Sequence, residues 1–474
     1  MKAMEREIMA KVVIIGAGSL GFSSKLTSDI LTYEPTCDAH FALVDTDEGR
    51  LPYAKQIAER IFTEGNYPKA TASATADRRE ALEDADYVII SILVGGYEAI
   101  KTEIDIPLKY GISQCIGDTL TPGGIMRCLR TLPVMIDIGR DIMELCPNAV
   151  VLNYTNPMSM LSWGMLDACP ELKYVGLCHS VQGTTGEWAH RCEVDLKDVN
   201  FQCAGINHQA WITRFERDGV DLLPQIRELA CRPDIWTGDT TRMEYVKHFG
   251  FPVTESSGHV SEYNWWFRKN DTELERYCDP RGGRWNGETG FIKELYDRPD
   301  WEGRMKSMAN WETPVNLNRS MEYGSRIVNA CAGGLAAVIH GNVKNDGLID
   351  NLPDEAIVEV PILVDKNGLQ PIRVGALPPH LAAINRAQIS VQELAVKAVF
   401  ERDPERVFQA MMMDPLTAMS CTLDQIRAMT VELLEAHREF TPILEGKSLA
   451  SKPVMYDKKT TDAEKHIDPA EAGI

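Results

Sequence analysis

What this chain lacks bounds it before any motif is read. No stretch reaches the ~18 consecutive apolar residues that a membrane-spanning helix needs, so no membrane partner is expected. Positive charge is in deficit: 49 Lys and Arg stand against 69 Asp and Glu, a formal net charge of -20. Nucleic-acid phosphates need a basic face, and anionic lipid surfaces need the same, so both are excluded as partners. Internal repeats, low-complexity linkers and heptads are missing. The opening residues 1–7 carry acids and lead straight into an apolar strand, which does not read as a signal peptide. The 12 cysteines are scattered, with no extracellular targeting signal. Reduced, mostly buried thiols in a cytoplasmic protein are therefore expected rather than a disulfide framework.

What is present reads as a soluble two-domain chain. With 474 residues, 44% hydrophobic and 25% charged, it is long enough to bury a large core. Short apolar runs at 12–15, 40–44, 87–93, 149–152 and 174–177 alternate with helical patterns such as 24–31 and 51–62. That alternation predicts an α/β fold with a Rossmann-like, doubly wound N-terminal domain over residues 10–200. After about Phe201 the segments become longer and more mixed, with an aromatic cluster at 263–267. An extended run at 358–364 and helices at 393–408 and 426–438 predict a mixed α+β catalytic domain over 201–446. Residues 447–474 form a polar, aperiodic tail.

The N-terminal strand feeds a turn of the form G-x-G-x-x-G, at Gly16, Gly18 and Gly21. Such a turn aims a helix N-terminus at a pyrophosphate and removes the Cβ atoms that would keep the backbone away. Gly16, Gly18, Ser19 and Leu20 are the candidate cofactor contacts. Asp45 ends the second strand, where it can accept hydrogen bonds from ribose hydroxyls; this favours NAD over NADP. It lies a few residues further from the glycines than the usual ~20. Ser91, at the carboxyl end of a later strand, is a further candidate neighbour. The alternative is a tight glycine turn with no ligand.

A second constellation lies downstream. Cys178 and His179 follow the 174–177 run, and Asn207 and His208 follow another short apolar segment. A thiolate and an imidazole suit a divalent transition metal, and two protein ligands leave positions open for substrate oxygens. By spacing alone, structural roles remain open for both. Gly117–Arg127 is a glycine-rich loop entering a helix, with Asp118 as a candidate acid–base group and Arg127 as a candidate anchor. A turn aspartate capping its own loop is the competing reading of Asp118. Asn153-Tyr154-Thr155-Asn156-Pro157-Met158 ends a buried strand, and its amides could reach sugar hydroxyls or the nicotinamide.

These motifs, in order, resemble glycoside hydrolase family 4, the NAD- and metal-dependent glycosidases. The resemblance runs from Val12 to about Arg438 through residues 16–19, 117–127, 153–158, 176–181, 205–208 and 341–347. The tetrapeptide Cys178-His179-Ser180-Val181, with Val253-Thr254-Glu255-Ser256-Ser257, is similar to the branch acting on α-galactosides. A neighbouring branch with Cys-His-Glu-Val acts on glucosides or uronides, so an α-glucosidase or α-galacturonidase is the alternative within the family.

The resemblance implies a route. NAD takes a hydride from C3 of the sugar, a base removes the acidified C2 proton, and the glycosidic oxygen leaves by elimination. Water then adds to C1 and the hydride returns. It implies Cys178 and His208 as ligands of Mn(II) or another divalent metal, and Asp118 as general acid. It implies Asn153, His179 and Asn207 as sugar contacts alongside Arg127. The C2 base falls in segment 257–263, with His259 ranked first and Tyr263 second. A metal-bound water ranks third. Tyr263 would need a lowered pKa to serve. A homodimer or homotetramer acting on a small sugar substrate is implied as well. Outside the family, a 2-hydroxy-acid dehydrogenase shares the fold and cofactor but needs an Arg and a His–Asp pair. A catalytically silent nucleotide sensor is disfavoured by the intact metal motif.

Overall fold

The computed structural model describes residues 9–19, 21–278 and 301–449. Leu20 and residues 450–474 of the expected tail lie outside them. The apolar runs of the first half form β1 (Lys11–Ile15), β2 (His40–Val44), β4 (Tyr87–Ile90), β5 (Val150–Asn153) and β6 (Lys173–Gly176). They are joined by β3 (Thr71–Thr75), which the pattern did not announce. All six are parallel, in the order β3-β2-β1-β4-β5-β6. This is the doubly wound order, which reverses direction between β1 and β4. The 87–93 run stops pairing at Ile90, opposite Ile15, because β1 ends there and the glycine turn departs. Helices α1 (Phe22–Leu31), α2 (Leu51–Glu64), α3 (Arg78–Leu82), α4 (Gly96–Lys109), α5 (Thr121–Leu145), α6 (Met158–Ala168) and α7 (Ser180–Arg191) connect these strands. The strands are sheltered accordingly: every residue of β4 and β5 is buried.

The sheet does not stop at β6. Strand β7 (Val199–Ile206) forms a hairpin with β8 (Gln209–Arg217), followed by the short β9 (Val220–Asp221). Strands β10 (Ala337–Lys344) and β11 (Ile357–Asp365) bridge β6 to β7 through antiparallel ladders, and β12 (Gly368–Pro371) pairs β11. The expected division between residues 200 and 201 thus falls inside β7. One register row crosses the junction: Gly176, Asn342, Glu359 and Gly205 stand side by side on four neighbouring strands. Helices α8 (Leu223–Ala230), α9 (Pro233–Gly238), α10 (Thr240–Phe249) and α11 (Ser257–Glu262) follow β9.

One expected helix, over 393–408, is two. The chain runs helically over Pro379–Glu401, breaks at Arg402 in a left-handed conformation (φ 51°), and restarts over Pro404–Met413. Pro404 lacks the N–H that would continue the first helix, and the Asp403 carboxylate caps the second by accepting from Glu405 N. A further α-helix spans Leu423–Ala436. All twelve cysteines are free thiols. Among the described residues, no helix is long and apolar enough to cross a membrane.

Candidate active site

The glycine turn behaves as its sequence requires. Gly16 adopts φ +94°, and both Gly16 N and Ala17 N donate to Val44 O at 2.9 Å. Gly18 N donates to Asp45 Oδ2 at 2.8 Å. A Cβ on Gly18 would lie 2.6 Å from that same oxygen, so only glycine fits. A cavity of about 750 Å³ opens over the turn, at the carboxyl ends of the strands where β1 and β4 diverge. Gly16, Ser19, Asp45 and Ser91 line it. Its size and place suit a dinucleotide.

Four chain segments meet at the neighbouring carboxyl edge. Cys178 emerges after β6 and just ahead of α7. Asn207 and His208 are the two-residue loop of the β7–β8 hairpin. Glu255 precedes α11, and Asp118 lies in the loop ahead of α5. His208 Nε2 is 3.2 Å from Cys178 Sγ and 3.5 Å from Glu255 Oε2. The three donor atoms lie within 4.8 Å of one another. A cation about 2.0–2.3 Å from each would be spanned by them, and thiolate, imidazole and carboxylate together suit a borderline divalent metal. His208 (φ 61°) and Glu255 (φ 75°) both hold left-handed backbone, a strain of about 1–3 kcal/mol each for residues with a Cβ.

Burial pushes the His208 pKa down to about 4, so the ring is neutral and its lone pair available. Its Nδ1 is 3.1 Å from both Thr119 Oγ1 and Tyr263 Oη. The Thr119 hydroxyl donates to Asp118 Oδ1 at 2.7 Å. A proton on Nδ1 satisfies this arrangement and turns Nε2 toward the sulfur and carboxylate. Burial and the charges of Glu255 and Glu359 raise the Cys178 thiol well above its ordinary value. A metal must therefore displace its proton.

His259 sits between two carboxylates: Nδ1 is 3.1 Å from Glu255 Oε1 and Nε2 is 3.6 Å from Asp118 Oδ1. Burial works to lower its pKa, but Glu255 and Asp118 outweigh burial and hold it well above normal. Burial equally works to raise Asp118 and Glu255, and His259 outweighs it, keeping both below the usual carboxylate range. The metal-free chain therefore carries the proton on His259, the reverse of the expected pairing of an Asp118 acid with a His259 base.

Asn153 is fully buried, and its amide is engaged by its own loop: Oδ1 accepts from Thr155 N at 2.9 Å and Nδ2 donates to Thr155 O at 3.2 Å. The amide that reaches the site is Asn156, whose Nδ2 donates to Asp118 Oδ2 at 3.0 Å. Without a bound cation, burial and the charges of Asp118 and Glu262 push the Tyr263 phenol well up, so service as a base would depend on a metal lowering it. Asn207 is 2% exposed, and neither side-chain amide atom has a hydrogen-bond partner. Arg127 lies close enough to Asp118 for their charges to interact. His179 is exposed at the start of α7, 3.8 Å from Glu322 Oε1. Glu255 and Thr119 stood inside quoted motifs without a role; Asn156 was one of the two amides of residues 153–158 read as ligand contacts.

A doubly wound fold whose carboxyl edge gathers a thiol, an imidazole and a carboxylate that could hold a metal defines a narrow class, and comparison with known proteins agrees. The Family 4 glycosyl hydrolase profile matches residues 11–194, and that of its C-terminal domain matches residues 203–417. The chain belongs to family 4 of the glycosyl hydrolases. It is 37% identical to an α-galactosidase of Bacillus subtilis (strain 168), over 92% of this chain and 99% of that one. It is also 37% identical to an α-galactosidase of Rhizobium meliloti (strain 1021), over 91% and 89%. A 6-phospho-α-glucosidase from gut microorganisms, solved with NAD and Mn2+, shares the fold with a TM-score of 0.77 at 21% identity, over 91% of this chain and 98% of that one.

Proposed function

We propose that this protein is an α-galactosidase that cleaves terminal α-galactosides by oxidation, elimination and water addition, using NAD and a divalent metal, Mn(II). The observation that carries the reading is the convergence of Cys178, His208 and Glu255 next to the dinucleotide-sized cavity. The 37% identity to α-galactosidases supports the choice of sugar.

When bound, the nicotinamide supplies a hydride acceptor for C3 and the cation supplies Lewis acidity toward the C2 and C3 oxygens. Gly16, Gly18, Ser19, Asp45 and Ser91 hold the cofactor. Cys178, His208 and Glu255 hold the cation, while His179, Asn207 and Arg127 orient the sugar. Asp118 and His259 move the protons. His259 Nε2 and Asp118 Oδ1 stand 3.6 Å apart and would share a proton between them, His259 as imidazole taking the C2 proton and Asp118 as a carboxylic acid protonating the leaving oxygen.

Free thiols throughout support a reducing, cytoplasmic location. The family resemblance supports a homodimer or homotetramer, which light scattering tests.

The experiment is hydrolysis of nitrophenyl α-galactoside, α-glucoside and α-galacturonide, with NAD and Mn(II) each added or omitted. Galactoside turnover that needs both additives, without net NADH formation, is expected. Turnover of only the glucoside or uronide moves the substrate assignment. Turnover that ignores NAD after thorough removal of bound cofactor overturns the mechanism, and stoichiometric NADH from a 2-hydroxy acid overturns the reaction class.

A further inference from the structure

A buried carboxylate outside the reacting set ties the two halves of the proton-transfer pair together. Glu262 is the last residue of α11 and is 0% exposed. Its Oε2 accepts from Cys115 N at 2.6 Å and Ile116 N at 3.1 Å, and its Oε1 accepts from Gly117 N at 3.0 Å. Three successive backbone N–H groups closing on one anion form a nest. The turn depends on Gly117, which holds φ +63°. The next residue in the chain is Asp118.

On the other side, α11 carries His259, and Tyr263 follows its end. One carboxylate therefore fixes the loop bearing Asp118 to the helix bearing His259, across more than a hundred residues of sequence. A second clamp lies alongside: Arg268 Nε donates to Ser113 O at 2.6 Å, and its Nη1 donates to Ser261 Oγ at 2.9 Å. Two of the three proposed metal donors, Cys178 and His208, follow β6 and β7, which Glu262 does not touch through these bonds, whereas the third, Glu255, lies just ahead of α11.

We infer that Glu262 is a positioning residue that sets Asp118 against His259 for proton delivery to the leaving oxygen, by filling the backbone nest at Cys115–Gly117. The inference rests on the reading of Asp118 as the acid. An amide at this position must point its NH2 group at a backbone N–H, so Glu262→Gln breaks the nest without changing side-chain size. A displacement of about 1 Å at a reacting group can reduce the rate about 100-fold.

The test compares two galactosides, dinitrophenyl α-galactoside, whose leaving oxygen needs no proton, and methyl α-galactoside, whose leaving oxygen does. It uses the full-length enzyme with NAD and Mn(II). For Glu262→Gln, methyl galactoside turnover should fall about 10- to 100-fold. Dinitrophenyl galactoside turnover, KM and the Mn(II) dissociation constant should change less than about threefold. Glu262→Asp, which keeps the charge one methylene short, should fall between Glu262→Gln and wild type. Asp118→Asn serves as the reference and should show the same split, enlarged.

Equal slowing of both substrates by Glu262→Gln while Asp118→Asn keeps the split overturns the positioning role and leaves the Asp118 assignment standing. An Asp118→Asn enzyme without leaving-group dependence overturns the Asp118 assignment instead. Failure of both Glu262 variants to fold assigns the carboxylate a purely structural role and overturns the inference.

Discussion

Tyr263 stands behind His208, its phenol oxygen 3.1 Å from Nδ1. The contact points the other ring nitrogen at Cys178 and Glu255, where a metal would sit. Partners of this kind hold a ligand ring in the right tautomer, and their loss typically weakens metal binding about 10- to 100-fold. Tyr263→Phe should therefore weaken Mn(II) binding by that factor while the fold persists, as read by calorimetric titration of the metal-free protein. Unchanged Mn(II) affinity combined with lost turnover would instead return Tyr263 to the role of base.

Glu255 carries the next prediction. It is the third donor of the proposed metal site and the partner that keeps the proton on His259 in the metal-free chain. Glu255→Gln removes the charge but keeps the shape, so Mn(II) affinity should drop at least about tenfold, and Cys178→Ala should drop it further. Electron paramagnetic resonance of bound Mn(II) checks both. An unaltered spectrum and affinity in Glu255→Gln would restrict the site to Cys178 and His208.

How much of this was legible beforehand follows from which interactions are local. The strand 11–15, the glycine turn and Asp45 form one short-range signal, and the sequence reading and the structure agree on them. Cys178 and His208 were reachable because each follows an apolar strand, and strand ends gather at one edge of a parallel sheet. Glu262 reaches partners more than a hundred residues away, and Glu255 pairs with His259 four residues on but meets Cys178 and His208 only across more than forty residues, which no periodicity announces. Glu359 offered a faint cue, as a lone acid inside the apolar run 357–364, but its position beneath the metal site depends on the ladder from β6 to β7. Asn153 is the opposite case: its contacts run within its own loop, and the sequence does not show which amide of residues 153–158 turns toward Asp118.

The cofactor turn makes a prediction separable from the metal site. A methyl group on Gly18 would lie 2.6 Å from Asp45 Oδ2 and equally close to the Arg50 side chain. Gly18→Ala must push Asp45 away or deform the turn, and both disturb the floor of the cavity. NAD binding should weaken about tenfold or more, with Mn(II) affinity unchanged. Titration of NADH fluorescence reads the first and calorimetry the second. Parallel loss of both ligands would show that the two sites are not independent.

Glu359 makes the stability of the metal-free protein depend on pH. It is 0% exposed, neither oxygen has a hydrogen-bond partner in good geometry, and Asn342 faces it across the ladder. Burial, helped by the charge of Glu255, raises its pKa from 4.5 to about 8. A folded-state pKa above the unfolded value means that the folded state holds the extra proton between those two values. The protonated acid is therefore favoured by folding, and its contribution is complete below pH 4.5 and lost as pH rises through about 8. With EDTA present, the Tm should decline between pH 6 and pH 9, by an amount worth on the order of a few kcal/mol. Glu359→Gln stays neutral at every pH and can donate to the Asn342 oxygen that otherwise lacks a partner. Its Tm should fall less across the same range, and the difference between the two curves isolates this one group from every other titration. Parallel curves for wild type and Glu359→Gln would mean that Glu359 does not hold an extra proton in the folded chain, and that the site tolerates a charged carboxylate beneath its metal donors.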